Sequence, residues 1–246
     1  MAQYGFHFNG SRCTGCKTCM LACKDYYNLS SEIAFRKVYE YGGGAWQQDA
    51  QGAWTCDSFT YYVSISCNHC DNPMCLGKCP QGAISKDDET GIVSSDPEKC
   101  IGCGTCVTAC PYGAPTVDEE QKKSVKCTQC GDRVAEGKQP ICVEACPVRA
   151  LDFGEIEDLR AKYGDVAEIA PLPEASLTKP NLVITAPAQA KPANDTTGTV
   201  ETRSSWCKAI IVRFFRAMRR AGGSLRLRMG AGACGWSPRA AVAGGR

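Results

Sequence analysis

Cys100-Ile101-Gly102-Cys103-Gly104-Thr105-Cys106-Val107-Thr108-Ala109-Cys110-Pro111 decides the fold of this chain. Its spacing, C-x2-C-x2-C-x3-C followed by proline, is one by which a short loop offers thiolates to a 4Fe–4S cube. Each iron of the cube needs one thiolate. Three cysteines at this spacing surround one face, and the loop is too short to wrap round and supply the fourth. The same spacing recurs at Cys13-Cys16-Cys19-Cys23. Two looser groups, Cys67-Cys70-Cys75-Cys79 and Cys127-Cys130-Cys142-Cys146, bring the grouped cysteines to 16 of 19 (four groups of four). Four groups imply four clusters, and a chain with four clusters reads as a wire for electrons.

In two-cluster ferredoxins the last cysteine of each run ligates the cluster of the other run. The expected class is therefore α+β: two ferredoxin-like halves in tandem, with a β-rich insertion and an extended C-terminal strap. Gly15, Gly102 and Gly104 let the backbone approach a cluster, where N–H groups can donate to sulfur and raise the reduction potential. Short helices are expected after the third cysteine of each group. Three of them meet Cys79-Pro80, Cys110-Pro111 or Cys146-Pro147, where proline turns the chain. Cys23 is followed by Lys24, so the first helix should run further.

Gly5–Phe8 reads as a strand leading into the first group. Ala83–Lys86 with Gly91–Ser94, and Gly113–Val117 with Ser124–Lys126, read as hairpins. The insertion, residues 31–66, holds the β-rich Phe35–Tyr41 and Phe59–Ile65, with Gly42-Gly43-Gly44 taken as a turn. Glu155–Tyr163 reads as a helix closed by Gly164. Residues 165–200, rich in Pro, Ala and Thr without periodicity, read as a strap ordered only against a partner.

Composition narrows the classes further. Residues 201–246 carry ten Lys/Arg against Glu201, net +9; residues 1–200 carry 18 against 25 acids, net −7. An acidic body argues against nucleic-acid binding. No secretory signal is read at Met1–Gly5, and no apolar run reaches the 18 to 20 residues of a membrane helix. Disulfides do not explain cysteines packed four to a group. Paired CxxC units also build zinc ribbons, and the fourth group, with Cys130 and Cys142 far apart, suits zinc best. Complete runs with Cys-Pro endings favour clusters over that alternative. Cys56, Cys207 and Cys234 match no ligand spacing and read as free thiols. His69, inside a group that already has four cysteines, reads as a residue behind the ligands or at the surface. Tyr26-Tyr27 and Tyr61-Tyr62 read as packing. No nucleophile–base constellation, phosphate loop or flavin signature is present, so no catalytic residues are expected.

The sequence also resembles a known family. Gln3-Tyr4-Gly5-Phe6, Arg12-Cys13-Thr14-Gly15-Cys16-Lys17-Thr18-Cys19, Ser66-Cys67-Asn68-His69-Cys70 and Cys110-Pro111-Tyr112-Gly113-Ala114-Pro115 resemble the iron–sulfur subunit of bacterial anaerobic dimethyl sulfoxide reductase, a molybdopterin oxidoreductase. Arg133–Lys138, Ala150–Gly154, Ala170–Pro173 and Thr178–Asn181 continue the likeness, which covers about residues 1–200. The resemblance implies a subunit of anaerobic respiration without its own substrate site. It would relay electrons from a quinol-oxidising membrane anchor to a molybdopterin catalytic subunit that reduces dimethyl sulfoxide or related S- or N-oxides, in a heterotrimer.

The resemblance also implies ligand sets that pair the first group with the fourth and the second with the third. Cys13, Cys16, Cys19 and Cys146 would hold one cluster, and Cys67, Cys70, Cys75 and Cys110 a second. Cys100, Cys103, Cys106 and Cys79 would hold a third, and Cys127, Cys130, Cys142 and Cys23 a fourth. Nitrate reductase relatives replace one third-group cysteine with tryptophan; Cys106 stands here, so four 4Fe–4S clusters are expected. Formate dehydrogenase relatives carry a C-terminal membrane helix, and none is read here. The subunit should lie peripherally on the inner membrane, at the periplasmic face.

The implied map places residues 1–30 and 120–155 in one half, 31–66 in the insertion and 67–119 in the other half. Residues 156–200 form a helix and partner-docking strap, and 201–246 a basic tail that departs from the family. That tail reads as an amphipathic basic segment or an aberrant, disordered terminus. A free polyferredoxin is the alternative function, and a zinc-based structural module the least favoured.

Overall fold

The expected N-terminal strand forms as β1 (Tyr4–Asn9) and delivers the chain to the first cysteine group. Helix α1 (Thr18–Tyr26) follows and runs past Cys23, as the absence of proline there predicts. The insertion supplies β2 (Lys37–Gly43), the hairpin β3 (Trp46–Gln48) and β4 (Trp54–Cys56), and β5 (Phe59–Ile65). The second group is carried by α2 (Met74–Gly77), and hairpin β6 (Ile84–Lys86)–β7 (Val93–Ser95) leads to α3 (Thr105–Ala109). Hairpin β8 (Thr116–Asp118)–β9 (Lys123–Val125) then leads to α4 (Gly131–Ala135) and α5 (Ile141–Glu144). The last elements are β10 (Leu151–Glu155), α6 (Ile156–Tyr163), β11 (Leu182–Thr185) and β12 (Gly198–Glu201). This computed structural model describes residues 3–201, so the basic-tail reading (apart from Glu201) and those of Cys207 and Cys234 lie outside the described residues.

One three-stranded sheet, ordered β10-β1-β11, explains why the ends of the cysteine array meet. β1 pairs antiparallel with β10, placing Phe6 opposite Phe153, and parallel with β11, placing Phe8 opposite Ile184. The strand entering the first group and the strand leaving the fourth are thus neighbours. Phe6, Phe8, Leu151, Phe153, Leu182 and Ile184 are all buried in the main core. Each such side chain contributes roughly 1.5–3 kcal/mol of burial.

The insertion forms a second sheet, ordered β12-β2-β5, with Val63 and Tyr61 facing the same core. Two expectations need correction here. Gly42 and Gly43 belong to β2, opposite Thr60 and Phe59, and of the three glycines only Gly44 has a left-handed φ, of 86°. Glycine is needed at position 43 for close approach: a Cβ on Gly43 would stand 2.5 Å from Thr197 O on the segment entering β12. Nor does the strap wait for a partner. β11 and β12 join the two sheets, and Ile169, Ala170 and Leu172 are buried. Its backbone also binds the second cysteine group: Asp71 N–H donates to Lys179 O at 2.9 Å, Asn72 N–H to Thr178 O at 2.9 Å, and Asn181 N–H to Asn68 O at 3.1 Å. These polar groups are satisfied by the body of the same chain.

The expected hairpins and the helix ending at Gly164 are present. Helix α4, between Cys130 and Cys142, and the β3–β4 hairpin are additions to the expected elements. The hairpin exposes Trp46 and Trp54. Among the described residues no helix is long and apolar enough to cross a membrane.

Candidate metal centre

The four cysteine groups share a backbone device. The residue before the second cysteine has positive φ in every group: Gly15 at 67°, His69 at 45°, Gly102 at 69° and Gln129 at 58°. This conformation turns the residue's N–H back toward the first thiol. Gln129 N–H donates to Cys127 Sγ at 3.4 Å, Gly102 N–H to Cys100 Sγ at 3.5 Å, and Gly15 N–H to the Cys13 thiol. Glycine adopts this shape freely, whereas His69 and Gln129 carry about 1–2 kcal/mol of left-handed strain. Their side chains are buried, and Gln129 Nε2 donates to Tyr4 O at 3.1 Å.

A second device follows each Cys-Pro pair. Gly82, Gly113 and Arg149, three residues after Cys79, Cys110 and Cys146, have φ of 57°, 59° and 50°. The turn brings the next N–H onto the thiol, Ala83 to Cys79 Sγ and Ala150 to Cys146 Sγ, each at 3.3 Å. In the two groups of matching spacing, hydroxyls add to the pattern. Thr18 and Thr105 lie 3.4 and 3.3 Å from Cys16 and Cys103, and Ser64 and Ser124 lie 3.5 and 3.2 Å from Cys19 and Cys106.

The fold brings the cysteines together across groups. Cys13, Cys16, Cys19 and Cys146 wall one small cavity. Cys67, Cys70, Cys75 and Cys110 wall another, and Cys79, Cys100, Cys103 and Cys106 a third. Cys23, Cys127, Cys130 and Cys142 form the remaining set: the Cys23 thiol, pushed up to about 12 chiefly by burial, also feels Cys127, Cys142 and Cys130. Cys127 and Cys67 lie in one buried cluster with Cys23 and Cys110, joining this set to the second. Cys16 and Cys103 are exposed, Cys13, Cys70, Cys79 and Cys110 are half-buried, and the other grouped thiols are buried. Cys56, exposed on β4, stands apart from all four sets.

Burial dominates the electrostatics. It pushes the thiols of Cys70 and Cys127 up to about 12 and that of Cys75 to about 11, with neighbouring cysteines adding to the rise. Four thiolates in one dry cavity repel one another, so ionising them together requires cations among them. Four convergent sulfurs are the donor set of a 4Fe–4S cube. Among the described residues no group of His, Cys, Asp or Glu is arranged to hold a single metal ion. The Cys-Pro endings and the N–H donors on sulfur favour a four-iron cube over the single ion of a zinc site. The N–H and hydroxyl donors aimed at the thiols would offset negative charge on such a group.

Two buried polar side chains stand beside the second set, His69 lining its cavity and Lys126 against Cys67. His69, fully buried, accepts the Val93 N–H on Nδ1 at 2.9 Å, so the neutral ring carries its proton on Nε2, which has no protein partner. It lines that cavity, which settles the choice between surface and interior. Lys126, 4 % exposed, places Nζ 3.4 Å from Cys67 Sγ and donates to Val93 O. The aromatic pairs pack as expected: Tyr27 lies against Phe35 with centroids 5.4 Å apart, and Tyr61 is buried in the main core.

Thiol sets on short loops, with N–H groups turned toward sulfur, define an iron–sulfur protein of the 4Fe–4S class. Known proteins agree: a 4Fe-4S binding domain matches residues 10–28, and a 4Fe-4S dicluster domain matches residues 58–156. The sequence is 58% identical over 196 residues to the B subunit of anaerobic dimethyl sulfoxide reductase of Escherichia coli (strain K12), covering 80% of this protein and 95% of that one. The corresponding B subunit of Haemophilus influenzae is 53% identical over 198 residues, covering 80% and 96%. A formate dehydrogenase iron-sulfur subunit of the same species is 35% identical over 160 residues, covering 61% and 51%. The protein belongs to the family of anaerobic dimethyl sulfoxide reductase B subunits, which are iron–sulfur electron-transfer proteins.

Proposed function

We propose that this protein is the electron-relaying subunit of a dimethyl sulfoxide reductase-like complex and carries four 4Fe–4S clusters. Cys13, Cys16, Cys19 and Cys146 hold the first; Cys23, Cys127, Cys130 and Cys142 the next; Cys67, Cys70, Cys75 and Cys110 the third in line; and Cys79, Cys100, Cys103 and Cys106 the last. A bound cluster supplies one-electron storage at a potential that its surroundings tune. The protein's own part is to exclude water, aim N–H donors at sulfur and set the order of the sites. The observation that carries the reading is the buried contact region shared by Cys127 and Cys67, which makes one path of two halves. The exposed Cys16 and Cys103 belong to the first and last sets and give that path two surface ends.

Electrons enter from a quinol-oxidising membrane anchor and leave to a molybdopterin subunit that reduces dimethyl sulfoxide or related oxides. The protein sits peripherally on the inner membrane, at its periplasmic face, in a heterotrimer. Support comes from the relatives, which are named as B chains of an anaerobic dimethyl sulfoxide reductase. Affinity purification from anaerobically grown cells tests this. The expected result is co-purification of a molybdenum-containing polypeptide and a membrane polypeptide, with quinol-dependent sulfoxide reduction lost when this subunit is deleted. A stable solitary monomer, with that activity intact in the deletion strain, would support a free polyferredoxin instead.

A further inference from the structure

Arg36 lies just before β2, in the insertion, and is 2 % exposed. Its Nη1 donates to Ser64 Oγ at 3.2 Å and its Nη2 to Ser66 Oγ at 3.1 Å. The guanidinium stands over the Phe6 ring, 4.5 Å from its centroid. Its buried Nε has no partner. No Asp or Glu among the described residues forms an ion pair with it. Guanidinium keeps its charge at any accessible pH, and burying that charge without an anion is strongly unfavourable.

The groups able to balance it are thiols from two different sets. The Phe6 ring beneath the guanidinium packs in one buried core with Cys19 of one set and Cys142 of another, and charge on Cys142, Cys19 and Cys127 favours the charged guanidinium. Ser64, held by Nη1, is itself 3.5 Å from Cys19 Sγ. We propose that Arg36 is a fixed cation shared by two clusters, the one held by Cys13, Cys16, Cys19 and Cys146 and the one held by Cys23, Cys127, Cys130 and Cys142, and that it raises the reduction potential of both. The inference rests on the four-cluster reading above. Each cluster becomes more negative on gaining an electron, and a positive charge beside both favours that gain at either. The insertion therefore does more than cover the core: it sets the energy of the step between these two clusters.

The test is an EPR-monitored redox titration of the full-length protein in its native complex, comparing wild type, Arg36→Gln and Arg36→Lys. Signals are assigned by those that Cys19→Ser and Cys142→Ser alter. For Arg36→Gln, two of four clusters should show at least a tenfold rise in the oxidised-to-reduced ratio at fixed ambient potential, which is about 59 mV for one electron. The other two should hold their wild-type values, and Arg36→Lys should keep all four close to wild type. If Arg36→Gln loses iron, the loss should be confined to the same two clusters while Arg36→Lys stays loaded. An unshifted, fully loaded Arg36→Gln, an equal shift at all four clusters, or an Arg36→Lys that behaves like Arg36→Gln would overturn the proposal. Fewer than four clusters in the wild type would instead sink the underlying reading.

Discussion

Replacing Lys126 with Met should lower the reduction potential of one cluster, that of Cys67, Cys70, Cys75 and Cys110. The ammonium lies 3.4 Å from Cys67 Sγ. At an effective dielectric of about 20, two unit charges at that separation interact by about 5 kcal/mol. An electron added to the cluster is shared among its corners, and a quarter of it at the Cys67 corner gives about 1.2 kcal/mol. For a one-electron couple that is about 50 mV, and charge on the other corners adds to it. The sign is fixed: removing a cation disfavours the reduced, more negative form, so the midpoint falls. The Val93 carbonyl also loses this donor, which costs about 1–3 kcal/mol of native-state stability. An EPR-monitored redox titration of Lys126→Met reads the midpoint directly. A fully loaded variant with all four midpoints unmoved would refute the reasoning.

Three further outcomes are expected. Cys146→Ser should alter the cluster of Cys13, Cys16 and Cys19, remote in sequence, and spare that of its neighbour Cys142; EPR of the oxidised and reduced protein separates the two. Gly102→Ala should cost more than Gly82→Ala although both have left-handed φ. A Cβ at Gly102 would stand 2.3 Å from Lys122 O and one at Gly82 meets nothing within 4 Å, so Gly82→Ala carries only about 1–2 kcal/mol of backbone strain. Bleaching of the cluster absorbance under anaerobic heating should be faster for Gly102→Ala, and equal rates would contradict the packing. Tyr61→Phe should loosen the segment around residues 169–191, because the Tyr61 hydroxyl donates to Ala170 O at 2.7 Å and accepts from Lys191 N–H at 3.2 Å. Leaving the buried Ala170 carbonyl unpaired costs about 1–3 kcal/mol, so amide exchange there should quicken by roughly fivefold or more while β6–β7 is unchanged.

Much of this was legible in the sequence because iron–sulfur ligation is local. Fixed spacings put three thiols on one loop, and Cys-Pro pairs mark where the chain must turn. Cys23, followed by Lys24, correctly announced a longer helix. What escaped was set by contacts distant in sequence. Leu182-Val183-Ile184 became a strand only because β1 offered an unpaired edge, and nothing within residues 165–200 shows that edge. Gly42 and Gly43 looked like a turn because glycine signals both turns and close approach, and only the positions of Thr60 and Thr197 decide between them. His69 and Gln129 hid their backbone role for the opposite reason: neither type advertises a positive φ, yet both occupy the place that Gly15 and Gly102 fill elsewhere. Aligning the four C-x-x-C units on that position would have found them. Arg36 and Lys126 carry no spacing signal at all, and only burial sets them apart from surface cations.

The central claim is that the interlocked cysteine sets hold four 4Fe–4S clusters. Iron and acid-labile sulfide, counted on the anaerobically purified full-length protein alongside EPR of its reduced form, test it most directly. The account predicts about 16 iron and 16 sulfide per polypeptide, with four interacting paramagnets on full reduction. Zinc in place of iron with no labile sulfide, or a count that stops at two clusters, would contradict it.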